Sequence, residues 1–286
     1  VVGIVCYDMS GELLFQLNAR GQGLGEYTDI NAFAVNASLH QLVIYDNMKQ
    51  SLMFYSTEDG RFVKSEKFNK PTPAEIAYWG GYFFYHNRLH RNYQDDISLH
   101  YYLLASKDGI TIGKRYFKHE NNKEDYPFSP SGHNLYDNNS KLYYCRDFDN
   151  IVYQIHEDSV VPRFRINLPN PLPASMIEER PNEMSLLRSG YSLGITDIYE
   201  YGGLLFFRFV KDGYIWSCLY NVEESKQVYC AKRIKFLDSS LIDTIDGIYK
   251  DCFYSILTPE YLDYAFSENP LEDYPDLFKT YRSEAR

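Results

Sequence analysis

The chain has 286 residues, of which 17% are aromatic, with 28 Tyr and 18 Phe but only 2 Trp. That content excludes a disordered chain and leaves room for one large domain or two small ones. Acidic residues outnumber basic ones 39 to 29, a net charge of −10 that disfavours a nucleic-acid partner, and no run of about 18 uncharged apolar residues predicts a transmembrane helix.

In chain order, a unit recurs: an apolar run, a tight turn, then a second apolar run. Ile4-Val5-Cys6-Tyr7 passes through Ser10-Gly11 to Leu13-Leu14-Phe15. Leu52-Met53-Phe54-Tyr55 passes through Asp59-Gly60 to Phe62-Val63, and Tyr101-Tyr102-Leu103-Leu104 through Asp108-Gly109 to Ile110-Thr111-Ile112. Ile151 to Ile155 turns at Asp158-Ser159 into Val160-Val161, and Ile215 to Tyr220 turns at Glu224-Ser225 into Val228-Tyr229-Cys230. The turns at 11, 60, 109, 159 and 225 are spaced by 49, 49, 50 and 66 residues. Between them lies a second set of hairpins, turning at Asn36-Ala37-Ser38, Gly80-Gly81, Asp137-Asn138-Asn139, Gly202-Gly203 and Lys250-Asp251. Asn, Asp and Gly suit these positions because hairpin loops need positive φ. Runs rich in β-branched and aromatic residues between such turns are strands.

Each period therefore holds four strands. Four-stranded antiparallel units at this period predict an all-β fold, a β-propeller, because such a sheet is apolar on both faces and needs a neighbour on each. The expected organisation is a single propeller domain over residues 1–286, with blades to about residue 258 and a short helical tail over 259–286. About five blades are visible, if the half-blades at the two ends complete one another.

The five cysteines (Cys6, Cys145, Cys218, Cys230 and Cys252) are odd in number, widely spaced and without a C-x-x-C pair. They read as buried free thiols rather than a disulfide framework. The N-terminal residues read as a strand, lacking the features of a signal peptide.

Gly11-Glu12-Leu13-Leu14-Phe15-Gln16-Leu17, running into Arg20-Gly21-Gln22-Gly23-Leu24-Gly25-Glu26-Tyr27, resembles a family of six-bladed, NHL-like β-propeller envelope proteins from Gram-negative gut anaerobes. The family phrase is a D-x-x-G-x-[FL] turn followed by G-x-G-P-G-E-Y, with Leu24 here in place of the proline. Ile44-Tyr45-Asp46 and Asp59-Gly60-Arg61-Phe62 are similar to its blades, and the likeness runs over about residues 4–258. It implies six blades in the parent protein, a lipoprotein leader not in the given chain, and a periplasmic or outer-membrane location with a lipid anchor. It implies no defined molecular function.

Gly21-Gln22-Gly23-Leu24-Gly25 has the look of a phosphate-cradling loop, but a strand pair follows it where a dinucleotide site needs a helix. The alternative is a tight connection between blades, with Glu26 and Tyr27 tying down backbone. His86, His90 and His100 have a partial zinc-like spacing on a loop, and Asp147-Phe148-Asp149-Asn150 opens like a calcium loop without its glycine and glutamate. No catalytic residue, cofactor or metal is assigned. A proline-rich insertion, 170–189, in which residues 177–180 offer one helical turn at most, joins two other connections, 20–27 and 118–133, as a place for binding. If the blades point alike, these converge on one face. The predicted ligand-binding residues are Arg20, Glu26, Tyr27, His133, Arg180 and Tyr191, for a glycan, peptide or protein partner. The expected function is non-enzymatic binding or scaffolding in the cell envelope. The alternative is a propeller lyase or hydrolase with carboxylates or histidines around the channel.

Overall fold

The structure, a computed structural model, describes residues 3–8, 10–68, 72–87, 97–119, 129–130, 132–138, 140–179, 181–232, 245–258 and 260. The helical tail expected at 259–286 thus lies, but for residue 260, outside the described residues, as does His90.

Among the described residues, twenty strands follow one another in chain order. They are β1 (Ile4–Tyr7), β2 (Leu13–Leu17), β3 (Ala32–Asn36), β4 (Gln41–Asp46), β5 (Ser51–Ser56), β6 (Phe62–Lys67), β7 (Pro73–Trp79), β8 (Tyr82–Asn87), β9 (Tyr101–Ser106) and β10 (Lys114–Lys118). Then come β11 (Leu135–Asp137), β12 (Leu142–Tyr144), β13 (Ile151–Ile155), β14 (Val160–Arg165), β15 (Ser192–Tyr201), β16 (Leu204–Lys211), β17 (Tyr214–Asn221), β18 (Lys226–Ala231), β19 (Gly247–Tyr249) and β20 (Cys252–Tyr254). Four consecutive sheets, β3–β6, β7–β10, β11–β14 and β15–β18, each pair nearest neighbours antiparallel, and β1–β2 and β19–β20 are two-stranded. This succession of four-stranded blades is a β-propeller.

One strand falls elsewhere than expected. Ile110-Thr111-Ile112 is not a strand, because the Asp108 carboxylate gathers the amides of Ile110 (2.8 Å) and Thr111 (2.7 Å) and the hydroxyls of Ser106 and Thr111. The chain is held in a turn there, and β10 starts only at Lys114. Those bonds, the Thr111 amide foremost, also hold the Asp108 carboxyl well below the usual carboxylate range.

Packing divides the chain into two compact units: Val1–Pro127 with Gln154–Val161, and Phe128–Tyr153 with Pro162–Arg286. In the first, successive residues of one strand feed different cores. Leu42, Ile44, Met53 and Tyr55 pack with Phe15, Leu17, Tyr27 and Ile30 on one side of the β3–β6 sheet. Val43, Tyr45, Leu52 and Phe54 pack with Ile76, Phe83, Tyr85 and Leu104 on the other. Strands covered on both faces read as continuous apolar runs rather than as alternation, which is how β4 and β5 read. On β3, Ala32 and Ala34 are buried, but Phe33 and Val35 on the opposite face are each 50% exposed. Their register partners Ile44 and Leu42 are covered. The two-stranded β1–β2 sheet covers the rows of β4 and β5 and leaves that of β3 open. In the second unit, Tyr136, Tyr143, Cys145 and Val152 pack with Ile195, Ile198, Leu205, Phe207 and Phe209.

Tyrosine rather than phenylalanine fills several of these positions because the hydroxyl reaches a turn carbonyl. Tyr55 donates to the carbonyl of Gly25 (3.2 Å), Tyr85 to Gly109 (2.6 Å) and Tyr199 to Asp246 (3.1 Å). The outer strands carry solvated charge or proline, as in the sequences FVKSEK of β6 and VVPRFR of β14, which discourages edge pairing.

Candidate functional site

The first connection runs from the end of β2 to the start of β3. The Tyr27 amide bonds to the Ala19 carbonyl (2.9 Å) and the Gly21 amide to the Tyr27 carbonyl (2.8 Å), closing the loop at its base. The Glu26 carboxylate folds back to accept the Gly23 amide (2.7 Å). Gly25 has φ +76°, and a Cβ there would lie 2.9 Å from Cγ of Phe62, so only glycine fits. Lys49 donates its ammonium to the carbonyls of Gly23 (3.2 Å) and Glu26 (2.6 Å). The buried Asp46 carboxylate accepts the amides of Thr28 (2.6 Å) and Lys49 (3.0 Å).

Tyr27 is fully buried and its hydroxyl donates to the Leu17 carbonyl (3.2 Å). Burial pushes its phenol up in pKa, against a smaller opposing effect of Arg20. Glu26 and Tyr27 therefore act inward, holding the connection, whereas Arg20 and Gln22 are exposed. Leu24, at the tip, is 90% exposed. A strand and not a helix follows, so the glycines serve a tight loop rather than a phosphate cradle.

In the second unit, the insertion between β14 and β15 is more ordered than its prolines predict. It forms two short helices, α1 (Ala174–Glu178) and α2 (Glu183–Leu187). The first begins three residues before the turn expected at 177–180 and shares only Ile177 and Glu178 with it. The second is started by Asn182, whose side chain accepts the Ser185 amide (2.9 Å), and is seated by Leu186, which is 1% exposed. The base is pinned: Asn170, at φ 50°, donates its side-chain amide to the Gly190 carbonyl (2.9 Å), and the Ser192 amide bonds back to the Asn170 carbonyl (2.8 Å). Tyr191 emerges half-buried beside that pin, with its amide on the Ser189 hydroxyl (3.3 Å). His133 is exposed, and its carbonyl accepts the Tyr136 hydroxyl. Arg180 lies outside the described residues. Arg20, Glu26 and Tyr27 thus share one loop of the first unit, and His133 and Tyr191 belong to the second.

The acidic pair of the calcium-like stretch is spent internally. Asp147 accepts the Ser129 hydroxyl (2.6 Å). Asp149 accepts the Arg146 guanidinium (2.7 Å) and the amides of Asn150 and Ile151. Sequence reasoning missed a larger cluster centred on Glu200, whose side chain is 9% exposed. Its carboxylate accepts Lys141 (2.9 Å), Arg163 (2.8 Å) and the Tyr143 hydroxyl, and its amide bonds to the Asn138 side chain (2.6 Å). Burial alone would raise the Glu200 carboxyl, but hydrogen bonds from Tyr143, Lys141 and Arg163 outweigh it and lower it below its ordinary value. Such a cluster ties β12 and β14 to β15; its carboxylate has little capacity left for a ligand. The cysteines also depart from expectation. Cys218 and Cys230 are joined in a disulfide, and of the others Cys145 is buried, Cys6 half-buried and Cys252 exposed. Facing positions on β17 and β18 bring the bonded pair together, which their spacing in the sequence did not reveal.

A model of a domain of unknown function, DUF4934, matches residues 2–283. The chain belongs to that family. No curated protein matches it. Among solved structures, this DUF4934 member is similar to a Bacteroides fragilis protein inferred to be exported, at 16% identity and TM-score 0.66 over 80% of this chain and 65% of that one. It is also similar to a DUF4221 family member from Bacteroides vulgatus, at 10% identity and TM-score 0.50 over 80% of this chain and 74% of the other. The chain spans 65% of the length of the first of these. At such identities the likeness concerns the fold. No helix among the described residues is long and apolar enough to cross a membrane.

Proposed function

We propose that this DUF4934 member is a non-enzymatic binding or scaffolding propeller of the cell envelope, taking a glycan, peptide or protein partner on its blade-to-blade connections. The observation that carries the reading is the loop between β2 and β3. Bonds from Glu26, Lys49, Tyr55 and Asp46 fix it, yet Arg20 and Gln22 stay in solvent and Leu24 is 90% exposed. A rigid loop presenting an apolar tip beside polar groups binds without a large ordering cost. Glu26 and Tyr27 contribute from behind that surface, and His133, Arg180 and Tyr191 are the corresponding residues of the second unit's connections. The envelope location draws support from the fold shared with a protein inferred to be exported and from the Cys218–Cys230 bond, which suits an oxidising compartment. A lipid anchor and six NHL-like blades in the parent protein, implied by the family resemblance, belong to the same reading.

The test is a glycan array and a peptide array probed with the full chain and with Arg20→Ala, Leu24→Asp and Tyr191→Ala. The expected outcome is a defined set of ligands, bound about tenfold more weakly by at least one variant at unchanged melting temperature. Ligand recovered cleaved would move the protein to the enzymes. Equal binding by all three variants, or none on either array, would contradict the proposed surface.

A further inference from the structure

Cys218 on β17 and Cys230 on β18 are direct register partners, with Cα atoms 4.1 Å apart and their sulfurs bonded. That spacing belongs to the close, non-hydrogen-bonded rung of an antiparallel ladder, where facing side chains touch. The two ends of the bond differ in access. Cys218 is 4% exposed and is part of the core that packs on Tyr143 and Val152. Cys230 packs against the same core but is only partly buried, and among the described residues β18 is the last strand of its sheet. An incoming thiolate therefore meets Sγ of Cys230 first.

We propose that the Cys218–Cys230 bond is a redox latch on the edge strand β18, opened and closed from the Cys230 side by a dithiol oxidoreductase. Opening begins when a donor thiolate attacks Sγ of Cys230. A donor–Cys230 mixed disulfide forms, and the Cys218 thiolate leaves and takes up a proton. The donor's second thiolate then attacks its own sulfur in the mixed disulfide and releases Cys230, so the latch gains two electrons and two protons and the donor becomes a disulfide. Closing is the reverse, with an oxidised donor accepting the electrons. With the bond closed, β18 is held covalently as well as by its ladder. Once it opens, β18 loses its covalent tie and keeps its ladder to β17, while β15, β16 and β17 keep each other. Cys145 is buried, with its Sγ against the carbonyls of Arg146 and Ile151, so the competing thiol of this unit is the exposed Cys252, which is blocked by alkylation before any reductant is added.

The experiment uses the oxidised full chain, with glutathione and then dithiothreitol as reductants. Trapped species are mapped by peptide mass spectrometry, and hydrogen exchange is followed in parallel. Glutathione should be captured on Cys230 at least about tenfold more often than on Cys218. After complete reduction, exchange in Lys226–Ala231 should rise about tenfold while Leu204–Lys211 stays unchanged. Glutathione disulfide should restore the slow rate, and a Cys218→Ser, Cys230→Ser double variant should exchange fast without reductant. Alkylation of Cys218 before any reduction would overturn the latch. So would capture mainly on Cys218, reduction only on unfolding of the whole sheet, or exchange in β18 indifferent to the bond.

Discussion

Glu200 illustrates how a single residue can matter more to this molecule than its sequence context suggests. Its carboxylate meets partners 57, 59 and 37 positions away, Tyr143, Lys141 and Arg163, so no local pattern marks it. Glu200→Gln removes the charge that Lys141 and Arg163 face, and is expected to cost about 1–2 kcal/mol at pH 7, read by urea unfolding. The sign with pH follows from the lowered carboxyl. A group depressed on folding contributes stability that is complete above its unfolded value and is lost as pH falls through its folded value. Wild-type stability should therefore fall on acidification below the ordinary carboxylate range, and the Gln variant should fall less steeply. An identical pH dependence for both would contradict the role. Tyr27 is the opposite case. The run Gly25-Glu26-Tyr27 signals a tight connection in the sequence, and the structure makes Tyr27 part of the core. Tyr27→Ala should cost about 3–5 kcal/mol in urea unfolding, the range for emptying a buried aromatic site.

At the scale of elements, turn chemistry was the legible part and side-chain reach the illegible one. The hairpins turning at Gly80-Gly81 and Gly202-Gly203 fall where positive φ predicts them, with φ of 56° and 80° in the first and 57° and 75° in the second. The misplaced strand at Ile110–Ile112 has apolar residues of the right type, but a carboxylate two positions upstream competes for the amides the ladder would need. The second helix of the insertion escaped because prolines at 171, 173 and 181 stop a long helix yet permit short ones between them, given the Asn182 cap. Asn182→Ala should lower the protection of α2 amides by about 1 kcal/mol in hydrogen exchange and leave β15 unchanged. Equal loss in β15 would mean that α2 and the strand open together. Gly25→Ala tests the first connection in the same way. A side chain at φ +76° against Phe62 should cost about 1–3 kcal/mol in thermal unfolding, and no change would mean that the loop is not braced as described.

For the whole molecule, the period near 49 residues and the doubly apolar strands determine the fold, because a sheet greasy on both faces is stable only between neighbours. That much is legible in the amino-acid order alone. The blade count is not, since β1–β2 and β19–β20 are each half the size of the other sheets. Of the residues predicted for a ligand, Glu26 and Tyr27 also fasten the loop itself, for a carboxylate and a phenol beside glycines serve either purpose equally well in sequence. The net charge of −10 disfavours a phosphate-backbone partner but names none. The fold itself is most directly tested by amide-resolved hydrogen exchange on the full chain. Four-stranded antiparallel blades require the slowest exchange in the central strands β4, β5, β8, β16 and β17, with the outer strands β6 and β18 faster. Protection spread evenly over inner and outer strands, or concentrated outside the strands, would contradict the blade architecture.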